Sequence, residues 1–269
     1  MKKIHLVAMM AFLLPGGAAL AQQTPQSNFA ITAGVFPTSF TSNARLSSDT
    51  DPGQNVDLEN DLGLQSRLSN FRLEGMWRFK PRHSLLFAYT SWRRKADRNI
   101  DRTFDWKGNT YTTGTRIHAL NNAQFIKLGY QYALKRTDTT EIDVSAAVDT
   151  IWNKLSVEGQ ATITGPNGPV TGERKAGTSF VAPAPVFGFN FVQMVTPKVP
   201  IRATAEWLKV KVDKTTGTVL DLRGSADYLF TPAWGAGIGY NYVAYKIDRP
   251  AFSGKYDFSG PLIYVSYRR

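Results

Sequence analysis

From about residue 28 onward apolar and polar positions alternate with a period of two, the spacing of a strand with one apolar face. Phe71, Leu73, Gly75, Trp77 and Phe79 interleave with Arg72, Glu74, Met76 and Arg78. Ile142, Val144, Ala146, Val148 and Thr150 interleave with Glu141, Asp143, Ser145, Ala147 and Asp149. The same holds for Ile201, Ala203, Ala205 and Trp207 against Arg202, Thr204 and Glu206, and for Leu220, Leu222, Ala226 and Tyr228 against Asp221, Arg223 and Asp227. A helical period would spread these charges over both faces, whereas a strand gathers them on one.

Short connections, at 80–83, 135–139, 196–200 and 231–234, alternate with longer or more polar ones at 42–64, 101–114, 159–177, 213–217 and 249–254. Ten strands follow, near 28–41, 65–79, 84–100, 112–134, 140–157, 178–195, 201–212, 218–230, 235–248 and 255–267. An even count with short turns at one end predicts an all-β fold, an antiparallel up-and-down transmembrane β-barrel. Eight or twelve strands are the alternatives. Two segments leave their facing open. In the third strand either Leu85, Phe87 and Tyr89 or Leu86, Ala88 and Trp92 meet lipid; after Trp207, Leu208, Val210 and Val212 imply a bulge or an extension above the membrane.

A soluble barrel also alternates, but it exposes its charges. Here aromatics gather at strand ends: Trp77, Phe79, Tyr130, Tyr132, Tyr228, Phe230 and Trp234 by the short turns, Trp92, Trp152 and Trp207 towards the loops. The run from Ile142 to Trp152 rises ~25 Å at a tilt of about 40°, the height of a lipid-facing band. The last strand sets Ile263, Val265 and Tyr267 on one face after Gly260. It resembles the C-terminal signal read by barrel-assembly machinery in Gram-negative bacteria, although Arg268 and Arg269 follow the aromatic.

The chain thus resembles the small outer-membrane β-barrel proteins. A poorly characterised group among them is resembled by Val56-Asp57-Leu58-Glu59-Asn60-Asp61-Leu62-Gly63-Leu64 running into 72–79, and by Gly237-Ile238-Gly239-Tyr240-Asn241-Tyr242 with Gly260-Pro261-Leu262-Ile263-Tyr264. The resemblance implies an architecture and an outer-membrane location, and no established reaction.

The N-terminus agrees with export. Lys2 and Lys3 precede an apolar stretch at 4–14, then Pro15-Gly16-Gly17 and Ala19-Leu20-Ala21, the pattern of a secretory signal cut after Ala21. Residues 1–21 are read as the signal and 22–269 as the barrel domain. The apolar core is too short for a membrane helix, which needs about 20 residues.

Composition narrows the chemistry. The 269 residues include no cysteine, which excludes disulfides, thiolate metal sites and a cysteine nucleophile. With lipid outside, the interior holds Arg72, Arg78, Lys127, Arg202 and Arg223 with Glu74, Glu141, Asp143, Asp149, Glu206, Asp221 and Asp227. They form either a paired network that fills the lumen or a ladder that sets ion preference in a small passive channel. The formal charge of +11 suits polyanionic lipopolysaccharide. Arg93, Arg94, Lys95, Arg98 and Arg102 cluster at the outer end of the second hairpin, with Arg174 and Lys175 in the third loop and Lys209, Lys211 and Lys214 in the fourth hairpin. Nucleic acid would meet the same charge, but an exported chain does not encounter it routinely.

Enzymatic readings rest on two histidines. His83, beside Ser84 in a short turn, reads as solvated, since neighbours on a strand point apart. His118 is within reach of Asp97, Asp101 or Asp105 and would then resemble the Asp/His pair of omptin proteases. The acids at Asp57, Glu59 and Asp61 lack the glycine and closing glutamate of a calcium loop, with Leu62 and Leu68 in those places, and read as a solvated loop. The expectation is a non-enzymatic protein without metal or cofactor, structural or a small channel. Its partners are membrane lipid, lipopolysaccharide and the assembly machinery, with no nucleic acid, and a monomer is favoured. A rim hydrolase and a surface-recognition barrel are the alternatives.

Overall fold

The computed structural model describes residues 27–48, 53–166 and 168–269, so the signal segment lies outside the described residues. Strands are β1 (Phe29–Leu46), β2 (Val56–Asp57), β3 (Arg67–Lys80), β4 (His83–Asn99), β5 (Phe104–Trp106), β6 (Asn109–Tyr111), β7 (Arg116–Arg136), β8 (Thr140–Gly165), β9 (Gly168–Thr196), β10 (Val199–Val212), β11 (Thr215–Leu229), β12 (Trp234–Arg249) and β13 (Phe252–Arg268). Ten of them form an antiparallel ring in sequence order, closed by β13 against β1. Short β2, β5 and β6 lie in the two long connections.

The ring matches the ten expected strands, and the connections differ. Residues 159–177 are ladder, with Gly159 opposite Arg174 and Gly165 opposite Gly168, because alternation continues through them to a turn at Gly168 (φ 96°). β10 turns into β11 through Asp213 (φ 52°) and Lys214, and β12 into β13 through Pro250 and Ala251. Three of the five expected outer loops are therefore tight turns. The 26 residues of β8 rise about 65 Å at a ~40° tilt, far beyond a ~25 Å lipid-facing band.

Lipid-facing positions carry exposed Val35, Phe71, Leu85, Leu128, Val148, Phe187, Ile238 and Ile263. Trp77, Phe79, Tyr130, Tyr228, Phe230 and Trp234 are exposed by the short turns, while Trp152 and Trp207 mark the other rim. Trp92 departs from the expected girdle. It is 4% exposed and faces inward, so Leu85 takes the outer face of β4, and Phe87 covers the bare Gly75 of β3.

The wall has two irregular joins. At the closing join Pro37 of β1 falls opposite Pro261 of β13, and Gly260 leaves room for the Pro37 carbonyl, where a Cβ would collide with it. The second join is incomplete. β9 pairs with β8 from Gly168 to Gln193, but with β10 only from Phe187 to Thr196. Above Trp207 the edges of β9 and β10 have no shared ladder, and Val186, Leu208 and Val219 pack behind the gap.

Candidate functional site: a lumen in three layers

The facing of each strand is constant, but its chemistry reverses along the axis. Below Trp152 and Trp207 charges point inward and apolar groups outward. Above them Leu155, Val157 and Leu208 point inward, and Lys154, Lys209 and Lys211 point out. This is the extension, not the bulge, after Trp207: the β10–β11 register runs unbroken from Ile201 to Val212.

At the short-turn end the interior is ionic. Arg78 pairs with Glu141, Lys127 with Glu206 and with Asp149 (3.6 Å), and Arg223 with Glu74. Arg72 holds Glu74 at 2.6 Å and donates at 2.6 Å to Asn241, which donates in turn to Asp221 at 2.6 Å. Arg202 and Arg268 share one oxygen of Asp227, each at 3.0 Å. Most of these pairs join strands that are not neighbours in the ring, so the side chains meet across the lumen. Eleven of the twelve expected interior residues carry an ion pair, within the wall or across the lumen, and Asp143 lies next to Glu141 on the same face. Sequence reasoning missed Arg268 and Asn241. Arg268 shares parity with Tyr264 and Ser266, which was the available signal for an inward side chain.

An aromatic layer lies above. Trp92 stacks near Phe125 (4.6 Å between centroids), Phe258 (4.9 Å) and Phe40 (5.3 Å), with Tyr245 against Phe125 (5.3 Å). The third layer is an apolar cap formed by the long connections. Leu58, Leu62, Leu64, Ile100, Phe104 and Trp106 are fully or almost fully buried against Ile117, Leu155 and Val157. Burial pushes the Tyr111 phenol in this cap up to about 12.

Arg94 and Glu59 join the cap to the wall, which corrects two expectations. Arg94 is 0% exposed and faces the lumen, unable to reach lipopolysaccharide, because it shares the parity of Trp92. It pairs with Glu59 and donates to Ser42 Oγ (2.9 Å) and Asn121 Oδ1 (3.1 Å), with its guanidinium 4.5 Å from the Phe40 ring centre. Glu59 also accepts from the Ser42 amide at 2.7 Å. The acidic segment is thus an anchor and not a solvated loop: Asp57 accepts from the amides of Glu59 (3.0 Å) and Asn60 (2.7 Å), and Asp61 from the Asp57 amide (2.7 Å). Among the described residues no group of three acids or histidines is arranged around a metal site.

The other expected contact residues divide. Arg93 and Lys95 are exposed on the outer wall. Arg98 pairs with Asp101, and Arg102 clasps Asp61 at 2.6 Å. Burial pushes the Asp61 carboxyl up, but Arg102 and the Asp57 amide outweigh it and hold it below the usual carboxylate range. In the terminal strand Ile263 and Val265 face outward, whereas Gly260 faces inward against β1.

His118 meets Asp97, 3.3 Å from Nδ1 to Oδ2, but on the outer wall. Arg116 holds the same carboxylate at 2.7 and 3.2 Å, and that contact lowers its pKa. The interior at that level is apolar Ile117 and Ala119. His83 lies in the lower girdle against the Tyr130 hydroxyl and the Tyr132 ring, while Ser84 points the opposite way and is buried.

No family model matches the chain. No curated protein matches it either. Among solved structures the chain is similar to the outer membrane protease OmpT from Escherichia coli, with TM-score 0.57 and 13% identity over 91% of this chain and 98% of that one. Similarity to the outer membrane protein OprG from Pseudomonas aeruginosa is looser, with TM-score 0.37 and 10% identity over 92% and 98%. At such identity the likeness is one of fold: an antiparallel β-barrel of the outer-membrane type.

Proposed function

We propose that this protein is an integral, non-enzymatic barrel of the Gram-negative outer membrane, closed at rest by its own long connections. The cap over the charged lumen, with Leu58, Leu62, Phe104 and Trp106 buried inside the ring, carries this reading. A lumen crossed by ion pairs and then sealed by two apolar layers offers no continuous polar path, so passive diffusion would require the cap to leave. The outward apolar band and its aromatic rims support membrane insertion, after signal-dependent export and recognition of the Ile263–Val265–Tyr267 face by assembly machinery. Above that band exposed Arg93, Lys95, Arg116, Lys154, Lys209 and Lys211 suit the phosphates of lipopolysaccharide.

Single-channel recording of the mature protein in a planar bilayer tests the closed state. Silence from a folded barrel is expected, and frequent stable steps would overturn the reading. The hydrolase alternative rests on the barrel fold and the His118–Asp97 pair, but that pair lies on the exposed outer wall, where Arg116 also holds Asp97. Peptide and lipid hydrolysis abolished by His118→Ala would establish it.

A further inference from the structure

The hairpin of β8 and β9 rises past the top of β10, and one of its edges is bare. The Met194 amide donates to the Thr139 carbonyl on the β8 side at 2.7 Å, and the β8–β9 register runs unbroken from Gln193 to Gly168. Amides alternate in direction along a strand, so even-numbered amides of β9 face β8 and odd-numbered ones face away. Pro183 and Pro185, which have no N–H to donate, both fall on the odd side. Extended from Trp207 opposite Phe187, the β9–β10 register sets Val212, the end of β10, level with Ala182. Above that level no described strand pairs with β9 on this side. Thr171, Glu173, Lys175, Gly177, Ser179 and Val181 therefore present backbone N–H and C=O groups along ~33 Å of free edge. Lys107 Nζ, 3.3 Å from the Gly177 carbonyl, reaches that edge and leaves its amides untouched.

The ends of this stretch are blocked and its middle is open. Proline stands on the same edge at 183 and 185 below and at 169 above. Bare edges capture other strands, and proteins blunt them with proline or with charge. Between Thr171 and Val181 the protection is charge alone, and charge is selective. Arg174, Lys209, Lys211, Lys214 and Arg249 lie on β9, on β10, in the turn after it and at the end of β12, and none is in an ion pair among the described residues. Arg249 reaches across to β9 and donates to Thr178 Oγ1 at 3.1 Å. The acids left unpaired beside them are Glu173, Asp213 and Asp248, since Glu158 is held by Lys175. The balance around the edge is positive.

We propose that this edge takes up an extended acidic polypeptide of an extracellular partner, added to the sheet beside β9 in the space above β10. Main-chain bonds to the free amides and carbonyls supply the affinity, and the surplus of Lys and Arg supplies the preference for acids. The position suits a partner outside the cell. Val181 lies opposite Trp152 at the outer rim, so the stretch above it stands clear of the lipid-facing band. A polyanionic lipid would use the same cations and none of the amides, which separates the two occupants by experiment.

Fluorescence anisotropy on the refolded full barrel in detergent tests this with a labelled peptide of alternating threonine and glutamate, about ten residues long to match the ~33 Å edge. Its counterparts carry lysine for glutamate, or keep the glutamates and are N-methylated at every residue. Saturable binding of the glutamate peptide is expected, with the lysine peptide weaker. The N-methylated peptide keeps the charge and loses its amide donors, so it should bind about tenfold or more weakly. Ser179→Pro carries the proline block into the middle of the edge and should cost the parent peptide a similar factor. Arg174→Gln should weaken binding about two- to fivefold, the value of an exposed ion pair, while Lys135→Gln at the short-turn end leaves it unchanged. Heat-dependent gel mobility checks folding, and Val181→Pro replaces Ser179→Pro if that variant is unfolded. The proposal is overturned if the glutamate peptide does not bind, if the lysine or N-methylated peptide binds as well, or if the folded proline variant binds like the parent. A dimer of the barrel alone that Ser179→Pro dissolves would give the edge to a second copy and overturn it too.

Discussion

Two interior arginines differ in what their loss would leave behind. Among the described residues Arg94 is the sole cation paired with Glu59, whose side chain is only 9% exposed, so Arg94→Met strands a buried carboxylate. Removing one partner of such a pair costs about 3–5 kcal/mol, and most of that should return in Arg94→Met/Glu59→Leu, where both charges go. Denaturant midpoints in lipid vesicles measure both variants, and equal losses in single and double would refute the pairing argument. Arg223 shares Glu74 with Arg72, which holds that carboxylate through its own contact at 2.6 Å. Arg223→Ala should therefore cost less, about 1–3 kcal/mol. A third residue, Arg102, clasps Asp61 at the surface of the cap. The Asp61 carboxyl is depressed in the folded protein, so its contribution is full above the unfolded pKa and lost as pH falls through the folded one. The stability difference between parent and Arg102→Gln should shrink below about pH 4, the ordinary carboxylate value, as read from midpoints across pH 7 to 3.

At the scale of the strand, alternation made the ring legible, because a period of two survives every change of environment. What alternation cannot disclose is which chemistry belongs inside at a given height. In β4 Trp92 and Arg94 have the inward parity, yet Trp92 matched a membrane girdle and Arg94 matched a basic surface cluster. Both were misplaced because the strand had already left the membrane, where the interior turns apolar and the outer wall charged. The ion-pair partners across the lumen were illegible for a different reason: Arg223 and Glu74 are separated by 149 positions, and only closure of the ring brings them together. The incomplete β9–β10 join was equally hidden, although Pro183 and Pro185 hinted at it. Proline removes a ladder donor and is tolerated where the amide would face away from a partner, and the ladder to β8 runs on through both residues. Backbone amides of β9 above Phe187 that face β10 should exchange with solvent faster than their neighbours facing β8. Hydrogen exchange read residue by residue measures this, and uniform protection along 176–186 would mean that the join closes.

On the scale of the whole barrel, two apolar layers lie in series above the ionic lumen, and each is sufficient to stop ions. The cap packs side chains of both long connections against the inner wall, whereas the aromatic layer is built from the wall itself, with Phe40 on β1, Trp92 on β4, Phe125 on β7 and Phe258 on β13. Removing one stopper therefore leaves the other. Shortening both connections, at 54–65 and 101–114, to flexible glycine-serine bridges should expose the aromatic layer while the bilayer remains electrically silent. Trp92→Ala/Phe258→Ala in the full chain should also stay silent, at a cost of about 3–5 kcal/mol for each buried aromatic. Only the combination should produce discrete steps, and their selectivity should be weak, since the lumen charges beneath are largely paired with one another. Full-sized steps from the shortened connections alone would show that the wall aromatics part readily and that the cap is the single gate.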